Sequence, residues 1–119
     1  MNMHLFQNSI RAVIFAAALS TSVALMGQCI ALTAALAGHP WQIDSHMVFF
    51  AALARLMALR DIKTILAATA VVAVHHMSLS LIMPTLVYPG GTGLANLGRT
   101  AFHAVVVLIE AAVLIFAIR

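Results

Sequence analysis

Residues 10–37 form a run of twenty-eight in which Arg11 is the sole charged side chain, and this run restricts the fold more than any other feature. A helix needs about 20 apolar residues to cross roughly 30 Å of hydrocarbon. The run is therefore expected to be a transmembrane helix, long enough to tilt or protrude. Ala35, Leu36 and Ala37 offer a small-x-small cleavage pattern, but the apolar run exceeds the core of a secretory signal. With 64% of 119 residues hydrophobic and 8% charged, the remainder of the chain belongs in the same solvent.

Three more apolar segments follow, giving expected helices at about 10–37, 42–60, 62–83 and 99–118. Gly38, His39, Pro40 and Trp41 break the first from the second and place an indole at the interface. Arg60 to Lys63 is short enough only for a tight connection between antiparallel neighbours. Residues 84–98 hold Pro89, Gly90, Gly91, Gly93 and Gly98 and are expected to be a loop outside the bilayer, folded back over the bundle. Ala16, Ser20 and Ala24 make a small-xxx-small face on the first helix, suited to close helix approach.

The expected fold is thus all-α, a four-helix transmembrane bundle running up-down-up-down as one domain. Arg11, Arg60, Lys63 and Arg119 fall at one end and Arg99 alone at the other. The positive-inside rule then puts both termini in the cytoplasm, in a multi-pass protein of the cytoplasmic membrane. Six basic residues without clustering or interleaved aromatics do not make a nucleic-acid surface. The lone Cys29 permits no internal disulfide and reads as a buried thiol.

Chemistry is expected at the histidines. His75 and His76 stand together inside the apolar run of residues 70–77, where an unpartnered polar group costs roughly 2–7 kcal/mol. His46 and His103 lie near the outer ends of their helices, so all four imidazoles occupy the outer half. Adjacent helical residues diverge by about 100°. His76, sharing a face with Thr69 and Ser80, is the better inward candidate, and His75 faces a neighbour or serves as a further ligand. Glu110, seven residues after His103 on the same face, is placed either to accept an imidazole N–H or to sit protonated between helices. Arg55, half a turn out of phase with His46, is expected to point away and snorkel or meet another subunit.

Two imidazoles at matched depth on separate helices suit axial ligation of haem b, and His46 and His103 would lie diagonally across a simple bundle with the cofactor at its centre. Three imidazoles converging with Glu110 suit copper or zinc, and Met47 and Met77 lean towards copper if they turn inward. Imidazoles that only stitch helices together are the remaining reading. There is no acid pair, phosphate loop or serine elbow, so an enzyme is not expected.

Taken in order, His46-Met47-Val48-Phe49-Phe50, Leu59-Arg60-Asp61, residues 70–76, Ala101-Phe102-His103-Ala104 and Glu110-Ala111-Ala112-Val113-Leu114 carry a resemblance. They resemble the multi-spanning membrane region at the N-terminus of some bacterial methyl-accepting chemotaxis proteins and related diguanylate cyclases. The similarity covers about the last eighty residues. It implies a sensory input domain in the bacterial inner membrane, with His46, Arg60, Asp61, His75, His76, His103 and Glu110 at matching positions. Ile62 stands where that pattern commonly has tryptophan, and Arg55 where it has an apolar residue. No signalling helix or cyclase domain follows Arg119, so the expectation is an excised sensor module or a fold that signals through a partner or as a homo-oligomer. An electron-transfer or pigment-binding subunit is the rival function, and a purely structural subunit the second.

Overall fold

A computed structural model describes residues 2–90 and 93–119; Gly91, expected in the third loop, lies outside the described residues. Four α-helices, α1 (Met3–Ala35), α2 (Met47–Leu56), α3 (Ile62–Ile82) and α4 (Gly93–Ile118), account for most of the chain, and no strand occurs among the described residues. The exterior is apolar, with Phe116 82% and Leu81 65% exposed, whereas Ser22, Thr33, Thr64, Ser80 and Asn96 are buried. That inversion suits a lipid surround, and α1, α3 and α4 are each long and apolar enough to cross a membrane. The protein is a membrane protein.

Asn2 caps α1 by accepting from the His4 amide at 3.1 Å, and the helix therefore begins seven residues ahead of the expected start at 10. Gly38, at φ 78°, takes the left-handed turn after its end, with Pro40 beyond. The buried stripe of α1 is Ser22, Met26, Cys29 and Thr33, all in its C-terminal half. The expected small-residue face of Ala16, Ser20 and Ala24 is exposed instead, because α2 and α3 pack on the Met26 side. Through Ala17 every described residue of α1 is exposed. Lys63 Nζ rests 5.4 Å from the Phe15 ring centre, so residues 3–14 run about 18 Å past the α2–α3 turn.

The second expected helix is broken up. α2 itself has ten residues and is flanked by 3-10 turns at Pro40–Gln42, Asp44–His46 and Met57–Leu59. Ten residues rise only about 15 Å, half the hydrocarbon thickness, although the tighter turns on either side extend the path from Asp44 to Leu59 to about 27 Å. The cause at the N-terminal end is local competition for one carbonyl. Gln42 O is occupied by Ser45 Oγ at 2.6 Å and His46 Nδ1 at 3.0 Å, and the His46 amide bonds Ile43 O instead at 3.2 Å.

Arg60 reverses the chain with φ 50°, and Asp61 caps α3 through the Lys63 amide at 3.2 Å and the Thr64 hydroxyl at 2.6 Å. α3 is buried along more than one face, from Thr64 and Ile65 to His75, His76 and Ser80, because it packs against α1, α2 and α4. α1 and α4 make no extensive contact, so this is not the square bundle expected from chain order. Part of the expected outer loop is helical. Pro84–Leu86 forms a 3-10 turn, and α4 begins at Gly93, ahead of the expected residue 99.

α4 presents Asn96, Thr100, Val107, Ala111 and Leu114 inward, with half-buried His103 between Thr100 and Val107, a stripe spaced three to four residues apart that is polar towards the helix N-terminus and apolar towards its C-terminus. The apolar core, Met26, Leu53, Leu56, Ile65, Ala68, Ala111 and Leu114 among others, fills the half nearer the α2–α3 turn. In the other half imidazoles replace it.

Candidate imidazole site

His46 ends the 3-10 turn Asp44–His46, His76 lies on α3 and His103 on α4, and their rings meet. Ring centres are 5.2 Å apart for His46 and His76, 5.3 Å for His46 and His103, and 6.0 Å for His76 and His103. The three rings share one anchor geometry. His46 Nδ1 lies 3.0 Å from Gln42 O, His76 Nδ1 3.0 Å from Val72 O, and His103 Nδ1 2.7 Å from Arg99 O, each a carbonyl four residues earlier.

A carbonyl oxygen only accepts, so each Nδ1 must carry the proton and donate it. Each Nε2 is left as a bare lone pair in the neutral ring, the orientation backbone carbonyls give to metal-binding histidine. His46 Nε2 is buried with no partner. Among the described residues no hydrogen bond joins one of these imidazoles to another, and each reaches only the carbonyl four residues before it.

The three rings, with Thr69, Thr100 and Met77, border a cavity of about 120 Å³ whose other walls include Phe49, Val72 and Val107. α1 contributes nothing to it, so the space lies between α2, α3 and α4 and not at the centre of a four-membered bundle. Its volume is below the roughly 300 Å³ at which sites for drug-sized ligands begin.

His75 is buried beside the cavity without lining it. Its ring stacks on Phe49 at 5.9 Å and meets His76 edge-on at 5.0 Å, and its Nε2 has no partner. The expectation that His75 joins the ligand set is thus not what the geometry gives, because its neighbour on the helix already takes the inward direction. Glu110 makes no hydrogen bond to an imidazole, and its Oε2 is buried and unpartnered, so neither expected pairing is formed. Met77 borders the cavity, whereas Met47 is 66% exposed. Cys29 is a buried free thiol with its Sγ 3.9 Å from Val48 O. Arg55 is exposed in a groove with Gln28 and Leu25, outside the imidazole cavity.

As the side chains stand, no group of three or more His, Cys, Asp or Glu among the described residues is arranged to hold a metal ion. The spacing is nonetheless close to that requirement. An ion about 2 Å from each Nε2 in tetrahedral geometry sets imidazole centres about 5 Å apart, against the 5.2, 5.3 and 6.0 Å found. The His76–His103 pair, at 6.0 Å, is the one that departs from it.

Two contributors had no clear motif. Tyr88, in the outer connection, is 1% exposed and lies parallel to the His46 ring, 2° between planes and 5.6 Å between centres. Its hydroxyl pairs with Thr100 Oγ1 at 2.9 Å. Burial pushes the Tyr88 phenol up from its ordinary range, with the Thr100 bond and the Arg99 charge acting the other way. Gln42, fully buried, positions His46 through its carbonyl and ties the outer turns together through its side chain. A lone aromatic in a Gly- and Pro-rich stretch was the signal available for Tyr88. Comparison of the chain with protein-family models, curated proteins and solved structures finds no match.

Proposed function

We propose that the chain is a membrane-integral sensory input domain that takes up a transition-metal ion, copper or zinc, through His46, His76 and His103. The observation that supports the metal reading is the common anchoring of three Nδ1–H groups on the carbonyl four residues earlier, which leaves the Nε2 lone pair free on each of three rings that border one small cavity. Imidazoles used only to stitch helices would spend those lone pairs on neighbouring elements. A cavity of about 120 Å³ favours a bare ion over the macrocycle of haem b. Met77 beside the cavity favours the softer ion, copper.

The sensory half of the reading rests on the resemblance to chemotaxis-receptor and diguanylate-cyclase membrane regions, through His46, Arg60, Asp61, His76, His103 and Glu110. An up-down-up-down arrangement with both termini cytoplasmic agrees with Lys63 standing against Phe15, which brings Arg11, Arg60 and Lys63 to one end. The site then lies in the outer half of the bacterial inner membrane. Closing of the His76–His103 separation draws α3 and α4 together at that level, and these two helices pass the change inward to a signalling partner or a second copy.

The test is titration of purified full-length protein in detergent with Cu⁺, Zn²⁺ and Co²⁺. One ion per chain, with a tetrahedral Co²⁺ spectrum, is expected. Failure to bind any of the three overturns the reading, and a Soret band in protein from haem-supplied cells would replace the ion by the macrocycle. Arg55→Leu should leave affinity within about twofold, since its side chain lies on the α1–α2 groove; a larger loss in the same titration would show that the two faces communicate.

A further inference from the structure

The cavity bordered by His46, His76 and His103 has a side door. Its wall includes Ala73 and Met77 on α3 and Ala104 and Leu108 on α4, each pair one turn apart, and all four residues are exposed. Ala73 and Ala104 carry only a methyl group, so little side chain stands between the two helices at this level. Met77 and Leu108, 49% and 62% exposed, flank the opening. Ala73 lies about 16 Å along α3 from Ile62. Both helices are long and apolar enough to span a membrane, so the door opens onto hydrocarbon and not onto water.

Whatever enters by that door first dissolves in lipid, which selects a molecule with little bound water to lose. Space limits the entrant as well. The cavity measures about 120 Å³, and an apolar protein cavity of about 150 Å³ holds one benzene ring. Phe49, Phe50, Val72 and Val107 supply walls that suit such a ring. The polar groups then fix its chemistry. All three Nδ1–H groups are spent on backbone carbonyls, the Thr69 hydroxyl donates to Ile65 O at 2.8 Å, and Thr100 Oγ1 is paired with the Tyr88 hydroxyl at 2.9 Å. What remains is a set of acceptors, the Nε2 lone pairs, and that of His46, a residue 2% exposed, is buried with no partner. A ligand that satisfies them brings a donor of its own. A phenolic O–H, with a pKa of about 10, is a stronger donor to imidazole than an alkyl alcohol and travels on a ring that dissolves in hydrocarbon.

We propose that the cavity is a binding site for a single-ring aromatic hydroxyl, a phenol or hydroquinone that arrives sideways from the lipid between α3 and α4 and donates its O–H to imidazole Nε2. A substituent on the ring points back through the door beside Met77 and Leu108. Ring and ion draw on the same lone pairs, so they are alternative occupants of one site, and as a signal the ring rests on the sensory reading above. A ring wedged behind Ala73 and Ala104 holds α3 and α4 apart, whereas an ion draws them together, so the two occupants bias the helix pair in opposite directions.

The experiment uses the full chain in detergent, stripped of metal by chelator and labelled with ¹⁵N at histidine, with para-cresol as the probe. A saturable shift of the Nε2 resonances is expected, whereas mere partition into the micelle gives a change that keeps growing with concentration. Toluene and para-methylanisole offer a similar ring without an O–H and should bind about tenfold more weakly. Ala104→Leu sets a longer side chain in the door from its lipid side and should weaken para-cresol binding by at least about tenfold, with Ala73→Leu as the second variant. Co²⁺ affinity in either should stay within about twofold, because no imidazole is touched. Decylhydroquinone tests the source: binding assigns a ring carried on a lipid tail, and exclusion assigns a free phenol. No saturable shift with para-cresol in protein that binds Co²⁺ overturns the phenol site alone. A para-cresol shift in protein that binds no ion overturns the ion and leaves the phenol site standing, and absence of both overturns both. Equal affinity for toluene and para-cresol overturns the bond to imidazole, and unchanged para-cresol binding in both door variants overturns the lipid route.

Discussion

His103→Ala is expected to bind the ion at least about a hundredfold more weakly than the unaltered chain while inserting into the membrane normally. Losing a group that merely orients a ligand costs 10- to 100-fold in affinity, so losing the ligand itself costs no less. The remaining pair, His46 and His76, with ring centres 5.2 Å apart, offers two lone pairs, and the alanine leaves Thr100 as the one polar side chain on the α4 side of the cavity. Insertion should not suffer, because Val105 to Ile109 and the apolar run beyond them carry α4 across the bilayer. His75→Ala is the matched control. It removes an imidazole at similar depth whose ring stacks on Phe49 outside the cavity, so affinity should stay within a few-fold. Equal loss in the two variants, measured by Co²⁺ titration, would mean that generic loss of imidazole and not the triad is responsible.

The meeting of His46, His76 and His103 was legible because a polar ring inside an apolar run has few low-energy options, and because faces on a helix follow from spacing alone. The same reasoning separated His76 from His75: Thr69, which shares the His76 face, lines the cavity with it. Other features depend on competitions that spacing does not encode. The break-up of the second helix turns on Ser45 and His46 side chains taking the Gln42 carbonyl that an α-helix would have used. In an alanine-rich helix many small-residue stripes are available, and packing partners selected Ser22, Met26, Cys29 and Thr33 over Ala16, Ser20 and Ala24. Tyr88 acts from a connection with no periodicity, so its burial on His46 exists only in the folded bundle. Glu110 shares the inward face of α4 yet pairs with no imidazole, which a shared face alone does not predict.

Gln42→Leu should lower stability by about 2 kcal/mol, because it deletes the polar side chain that joins three segments while nearly conserving volume. Gln42 is fully buried, and its Nε2 donates to Thr85 O at 2.8 Å and towards Thr33 O at 3.4 Å, while its Oε1 accepts from the Gly38 amide at 3.4 Å. Leucine leaves the Thr85 carbonyl and the Gly38 N–H without these partners, and because both residues are exposed each lost bond costs its net worth of about 0.5–1.5 kcal/mol. The Thr33 carbonyl loses only a long 3.4 Å contact, while the Thr33 hydroxyl keeps Ser45 Oγ at 3.1 Å and Cys29 O at 3.1 Å. Gln42→Glu separates loss of the amide donor from loss of packing. Its carboxylate would turn acceptors towards two carbonyls that need a donor, so it should destabilise at least as much as leucine despite being the closer isostere. The backbone carbonyl that anchors His46 is untouched in both variants, so ion affinity should fall less than stability does. Denaturant unfolding in detergent reads the stability and Co²⁺ titration the affinity; a glutamate variant as stable as the unaltered chain would show that the Gln42 Nε2 bond to Thr85 O contributes nothing.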